Sequence, residues 1–229
     1  MGSASLTLTA KCAGEQEVIL YLPEPAQASY PAWLSALGEG LKKAFPEIVD
    51  VVPAYASLLV CGVKVSLPEL LSCAQMILDT VCQQTIVAPR CIEIPVCYDA
   101  QYAPDLATLA KAKGLAVEEV VALHTGKRYD VFAVGFIPGF AFLGYVDARI
   151  EMPRHLTPKP VQAGSVGIAG RQTGCYPLNS PGGWQIIGRT PKVLYAPEQG
   201  HFGEFSAGDK VQFIAISAEE FLALEAGEV

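Results

Sequence analysis

The chain has 229 residues, 51% hydrophobic and 17% charged, with 21 Gly and 17 Pro; this excludes disorder and coiled coil and leaves enough chain to bury a core without disulfides. Sixteen basic against 23 acidic residues give a net charge of −7 with no Lys/Arg run, which excludes a nucleic-acid binder, since that role needs clustered cations. The longest apolar stretch, Val49 to Val65, is broken by Asp50, Pro53 and Lys64 and cannot serve as a bilayer span.

The opening Met1-Gly2-Ser3-Ala4-Ser5-Leu6 lacks the cationic start and apolar core of a signal peptide. Leu6 also stands where a myristoylation motif needs Ser or Thr. Seven cysteines, an odd number with no CxxC pair, read as reduced and structural in a cytoplasmic protein. Cys175 is set apart because it alone lies in a Gly-rich segment, although no basic neighbour in sequence would make it a thiolate. The expectation is a soluble cytoplasmic protein with neither a membrane nor a nucleic-acid partner.

In chain order, Val18 to Leu22 is a strand ended by Pro23 and Pro25. Trp33, Leu37, Leu41 and Phe45, with Leu34 beside them, make one apolar helical face. Ile48–Val52 and Ser57–Val65 read as two strands joined at Pro53-Ala54, and the capping box Ser66-Leu67-Pro68-Glu69 opens a helix to about Cys82. This order predicts a small α+β sandwich over residues 1–88, with helices on one face of an antiparallel sheet. The boundary falls in Gln83 to Arg90.

The second domain, residues 89–229, opens with the strand Cys91–Cys97. Helices Pro104–Lys113 and Val117–His124 follow, closed by Gly114 and by Thr125-Gly126. Tyr129–Val134, Val166–Ala169, Gln185–Ile187, Val193–Tyr195 and Val211–Ile216 are short strands between Gly and Pro turns, the texture of a β-barrel or sandwich. A second capping box, Ser217 to Glu220, starts a terminal helix.

Three segments look too specialised for ordinary barrel strands. Gly135 to Gly144 (GFIPGFAFLG) presents Phe136, Phe140 and Phe142 between Gly and Pro138. Ala163 to Pro177 (AGSVGIAGRQTGCYP) and Ser180 to Pro191 (SPGGWQIIGRTP) hold six glycines between Gly164 and Gly183. Tight barrel corners explain part of that glycine, and close approach of a ligand would explain the rest. Arg171, Gln172, Thr173, Tyr176, Ser180 and Arg189 are interleaved with it. Neither GxGxxG nor GxxxxGK[ST] opens a helix, GxSxG is missing, and His124, His155 and His201 are not spaced as metal ligands.

His124 shares a helical face with Val117, Val120 and Val121. It reads either as a buried histidine on the last helical carbonyls or as an acid/base group at a pocket. Arg154 and Arg189 stand on Pro- and Gly-containing turns; each suits planar recognition of a carboxylate or phosphate, or a surface ion pair. Trp184 is a core residue or a binding platform.

Together these segments, with VDVVPAY (Val49–Tyr55) and IPVCY (Ile94–Tyr98), resemble the allophanate hydrolase subunit 1 family, also called the 5-oxoprolinase B-subunit or Kip-inhibitor family. The resemblance runs from about Val49 to Ile216; the family's usual Gly-Asp-containing opening strand has no match in Lys11 to Leu22. It implies a ferredoxin-like α+β N-terminal sandwich and a cyclophilin-like C-terminal β-barrel. It further implies one component, inactive alone, of an ATP-dependent 5-oxoprolinase that opens 5-oxo-L-proline to L-glutamate. Its partners would be a biotin-dependent carboxyltransferase-like C subunit together with an A subunit. ATP would be used by the assembled complex.

Relatives suggest two alternatives: a carboxyltransferase component of a biotin-dependent urea carboxylase or allophanate hydrolase system, and an inhibitor of a sensor histidine kinase. Under the 5-oxoprolinase reading Arg154 and Arg189 bind the substrate carboxylate or phosphoryl group and His124 transfers protons. Phe136, Pro138, Phe140, Gly164, Ser165, Gln172, Thr173, Tyr176, Ser180 and Trp184 line the site for this small molecule, and the Gly164–Gly174 backbone supplies N–H donors. No metal is expected.

Overall fold

A computed structural model describes residues 6–83 and 89–227. The chain divides into two compact units, Met1–Pro89 and Arg90–Val229.

In the first unit β1 (Thr9–Cys12), β2 (Glu17–Tyr21), β3 (Asp50–Ala54) and β4 (Ser57–Cys61) form an antiparallel sheet in the order β1-β2-β4-β3. Helix α1 (Tyr30–Ala44) follows β2, and α2 (Leu67–Gln83) follows β4. Alternation puts Val18 and Leu20 of β2 opposite Val60 and Leu58 of β4, and all four are buried on one face. Leu34, Leu37 and Leu41 of α1 are fully buried with Tyr30, while Trp33 and Phe45 of the predicted stripe stay partly exposed. Gly38 lets α1 sit close to the sheet, because a Cβ there would lie 2.7 Å from Val51 Cγ2. Ser66 caps α2 as predicted, its Oγ accepting the Glu69 N–H at 3.4 Å.

Two local expectations change. The hairpin turns at Tyr55-Ala56, and Pro53 lies inside β3. Proline is tolerated there because β3 is an edge strand, where its missing N–H leaves no ladder bond broken. Strand β1 is an addition to the predicted elements, since Thr-Ala-Lys-Cys carries no apolar alternation and is held by its pairing with β2.

The second unit is built on β5 (Cys91–Cys97), β6 (Arg128–Val134), β7 (Ala141–Tyr145), β9 (Ser165–Ala169), β10 (Gln172–Cys175), β12 (Gln185–Arg189) and β13 (Lys210–Ile216). They close into a barrel in the order β10-β7-β6-β13-β5-β12-β9, back to β10. Strands β13 and β5 run parallel from Lys210↔Cys91 to Ile216↔Cys97; the other barrel pairs are antiparallel. The hairpin β8 (Lys159–Val161) with β11 (Ser180–Gly182) forms a separate two-stranded sheet. Helices α3 (Leu106–Lys113) and α4 (Val117–Thr125) contribute Leu106, Leu109 and Val120 to the core formed by Ile94, Val131, Leu143, Ile168, Ile187 and Phe213. Helix α5 (Ala218–Ala226) starts at the predicted box, with Ser217 Oγ and the Glu220 carboxylate each accepting the other's backbone N–H.

The three specialised segments are barrel strands after all: they supply β7, β9, β10 and β12. Val193–Tyr195 is not a strand; only Ala196, just beyond it, makes an isolated bridge, to His201. Much of the glycine is explained by closure. Strand β12 meets β5 through the single register pair Arg189↔Cys97, and a Cβ on Gly188 would lie 2.6 Å from Val96 Cγ1 and 3.0 Å from the Cys97 carbonyl. Gly188→Val is expected to lower the unfolding free energy by about 1–3 kcal/mol through overpacking at this seam, measured by urea denaturation.

Candidate functional site

Strand β10 sorts the sequence-predicted residues. Successive side chains of a strand point to opposite faces, so Gln172 and Thr173 cannot share a site. Thr173 is turned inward and fully buried; Gln172 faces outward. The predicted residues therefore fall into three places.

The first is interior. His124 is 0% exposed and stacks on Phe213 at 4.5 Å between centroids. The Thr173 hydroxyl donates to the Gly167 carbonyl at 3.0 Å, so it accepts from His124 Nε2–H at 2.8 Å. Nδ1 then accepts from the Tyr98 hydroxyl at 2.7 Å, and Tyr129 donates to the His124 carbonyl at 2.8 Å. Both ring nitrogens are engaged. Burial pushes the imidazole pKa down to about 3 and raises the Tyr98 and Tyr129 hydroxyls. Cys175, inward like Thr173, is fully buried with its thiol pKa raised by burial. This geometry makes His124 a neutral, satisfied part of the core rather than a group open to a ligand.

The second place is the Ser165 end of β9. Arg189 pairs in register with Ser165, while Gln172 pairs with Ala169 at the opposite end, roughly 13 Å along the strand. Arg189 Nε donates to the Ala163 carbonyl at 3.0 Å, and its guanidinium lies 5.6 Å from the Phe221 ring centre and 3.7 Å from Glu225. It thus meets α5. Gly164 has φ +82°, and a Cβ there would stand 2.3 Å from the Thr190 carbonyl. The Gly164 N–H donates to Tyr176 and the Gly170 N–H to Met152. The β9 residues between them and the β10 residues that follow are paired in the barrel ladder. The expected row of free backbone donors is spent on the fold.

The third place is the outer wall of β7, β9, β10 and β12. Phe140, Tyr176, Trp184, Ile186, Ala169 and Val161 form a satellite core, with Phe140 edge-on to Tyr176 at 5.2 Å and to Trp184 at 5.4 Å. Phe136 adopts φ 73° on the 66% exposed tip of the β6–β7 turn and meets Phe140 edge-on at 5.6 Å, with Pro138 exposed beside it. Ser180 lies on β11, its Oγ buried without a hydrogen-bond partner. Beside this aromatic cluster is a depression of about 410 Å³ lined by Phe142, Pro153, Arg154, Ala169, Gly170, Gln172 and Trp184. Among the described residues Arg154 makes no hydrogen bond or ion pair. The hollow thus combines an indole and a phenyl ring, one carboxamide and one unpaired guanidinium, a set suited to a small, flat, carboxylate-bearing molecule.

Of the three residues expected to do chemistry, only Arg154 reaches this hollow; Gln172 and Trp184 join it from the binding set. Phe142 was missed as a lining residue, though its spacing of two from Phe140 on a strand was the available signal. Gly170 and Ala169 carry no side-chain chemistry that could have marked them. A triphosphate needs several cations or free backbone donors. One guanidinium and spent N–H groups do not fit it, so no ATP step is placed on this wall. Among the described residues no group of three or more His, Cys, Asp or Glu could hold a metal, and no helix is long and apolar enough to cross a membrane.

The chain belongs to the family described as Carboxyltransferase domain, subdomain C and D, which it matches over residues 8–202. It is 40% identical over 195 residues to the 5-oxoprolinase B subunit of Bacillus subtilis (strain 168), covering 80% of this chain and 81% of that protein. Among solved structures, TTHA0988 superposes with a TM-score of 0.72 at 35% identity, over 89% of this chain but 40% of that one. The Kluyveromyces lactis urea amidolyase superposes with a TM-score of 0.75 at 17% identity, over 99% of this chain and 16% of that one; this likeness shows the fold.

The depressed pKa of His124 has a consequence for stability. The unfolded chain takes up this proton below the ordinary value of 6.5, whereas the native chain holds the ring neutral down to about 3. Stability from this group is therefore complete above pH 6.5 and is lost as pH falls toward 3. Between pH 6.5 and 5 the loss should be about 2 kcal/mol. Urea unfolding of His124→Gln at both pH values should show a weaker protein at neutral pH and a shallower acid dependence.

Proposed function

We propose that this chain is the B subunit of an ATP-dependent 5-oxoprolinase, working in the cytoplasm with the A and C subunits to open 5-oxo-L-proline to L-glutamate. The carrying observation is the outer-wall depression: unpaired Arg154, the Gln172 carboxamide and the Trp184 and Phe142 rings around one hollow. These match the three parts of 5-oxoproline. Arg154 takes the carboxylate in a charge-assisted pair, Gln172 reads the lactam amide, and Trp184 packs against the flat ring. The likeness to the Bacillus subtilis protein supports the same reading.

A five-membered lactam is a stable amide, and phosphorylation of its carbonyl oxygen would make it a competent electrophile. That step needs cations that this wall lacks, so it is assigned to the assembled complex, and this chain alone has no turnover. Its part is to bind and orient the substrate. His124, Thr173 and Tyr98 act as the buried support behind the wall, and Arg189 as the tie to α5. The sheet order, with β1 beside β2, supports a ferredoxin-like sandwich for the first unit, and the closed barrel supports a cyclophilin-like second unit. Nothing at the site favours biotin or a histidine kinase over this assignment.

Two measurements test it. In a Trp33→Phe chain Trp184 is the sole tryptophan, and 5-oxo-L-proline should change its emission saturably; no response would remove the substrate from this wall. In the complex reconstituted with the A and C subunits, Arg154→Ala should lower kcat/KM for 5-oxoproline-dependent ATP hydrolysis roughly 10- to 100-fold, the worth of one charged hydrogen bond. Arg189→Ala should leave it near the parental value.

A further inference from the structure

The segment carrying Arg154 is pinned on both sides, and every pin leads to a residue within two positions of Trp184. Before it, the Pro153 carbonyl accepts from Gln185 Nε2 at 2.8 Å. After it, the His155 N–H donates to the Gly183 carbonyl at 2.7 Å. The third pin is the His155 imidazole, whose Nε2 lies 3.1 Å from Asp105 Oδ2. That same carboxylate oxygen accepts the Ile186 N–H at 2.8 Å, and the Asp105 N–H returns to the Ile186 carbonyl at 3.0 Å. Lys159 Nζ closes the cluster, 3.5 Å from Asp105 Oδ1 and donating to His155 Nε2 at 3.4 Å.

Asp105 is the residue that precedes α3, so the latch joins three pieces of chain: the start of α3, the Pro153–His155 strap and β12. Its carboxylate is largely shielded, with 13% of the side chain exposed, and His155 retains 21%. Partly buried polar contacts of this kind hold a more fixed geometry than exposed pairs. Arg154 lies between two of the pins with no polar partner of its own among the described residues. Its Cβ and Cδ lie 3.7 and 3.9 Å from where a Cβ on Gly183 would stand.

We infer that the Asp105–His155–Lys159 cluster is a positioning latch that holds the Arg154 guanidinium beside Trp184, making this rim an anion-recognition surface. The inference rests on the reading of the depression as a carboxylate site, but the latch can be tested without that substrate. Iodide is an anionic quencher and acrylamide a neutral one. A guanidinium fixed beside Trp184 concentrates iodide there and leaves acrylamide indifferent.

The test uses the full chain carrying Trp33→Phe, with Stern–Volmer constants for both quenchers and a thermal melt of each variant. Arg154→Ala should lower the iodide constant at least about twofold with the acrylamide constant unchanged. His155→Ala should do the same, and the Arg154→Ala/His155→Ala pair should fall no further, because the histidine acts through the arginine. His155→Gln, which keeps a polar side chain facing Asp105 and Lys159, should restore the iodide constant. The latch is overturned by a parental iodide constant in His155→Ala, by full additivity in the double variant, or by failure of His155→Gln to restore it. A rise in acrylamide quenching with a lowered melting temperature would equally overturn it, as general loosening. If Arg154→Ala alone leaves iodide quenching unchanged, the anion surface fails with it. If the latch behaves as expected but 5-oxo-L-proline leaves Trp184 emission unchanged, only the substrate assignment fails.

Discussion

Each residue in the wall of a closed barrel can point only inward or outward, and its neighbour in sequence must take the other direction. Along β10 this rule sends Thr173 and Cys175 into the core and leaves Gln172 and Gly174 on the outside. The same rule on β7 places Ala141 and Leu143 inside and Phe142 outside. One continuous motif therefore builds two unlike environments. Inside lies a polar network that must be complete to be tolerated, and outside an aromatic shelf with room for a ligand.

The inner network explains how a histidine sits at zero exposure without an ionic partner. An unpaired buried polar group costs about 1–3 kcal/mol, whereas a satisfied one is close to neutral. Tyr98, Thr173 and the Gly167 carbonyl complete every bond that a neutral imidazole can make. The chain of donors runs from β10 through α4 to the residue just after β5, so it fixes the helix against the wall. Rigidity behind β10 helps hold Gln172 in place on the other side, which is the preorganisation a recognition surface needs.

The outer shelf owes its charge pattern to spent partners. Arg171 pairs with Glu151 at 3.0 Å and lies over the Tyr145 ring, while Arg189 is taken by Ala163 and α5. Arg154 makes no hydrogen bond or ion pair among the described residues, and the backbone on either side of it is pinned. The fold is shared with part of the Kluyveromyces lactis urea amidolyase; a fold of this kind hosts function without dictating it.

Periodicity and caps were sufficient for most of the secondary structure. The helix stripe of Leu34, Leu37 and Leu41, the capping boxes at Ser66 and Ser217, and the strand Cys91–Cys97 follow from local chemistry and are found where that chemistry puts them. Strand β1 and the place of Pro53 were not legible, because pairing and edge position, not propensity, decide them. The motifs by themselves marked Gln172, Arg154, Trp184 and Phe140 as candidates; Phe140 is fully buried in the satellite core, and the other three line the depression. Only the tertiary structure decided that His124 is sealed in the core, that Arg189 is bound to α5, and that Asp105 reaches across to His155. The physical reason is that a side chain's partners in a barrel come from strands far apart in sequence, and whether a polar group is free depends on which partner reaches it first.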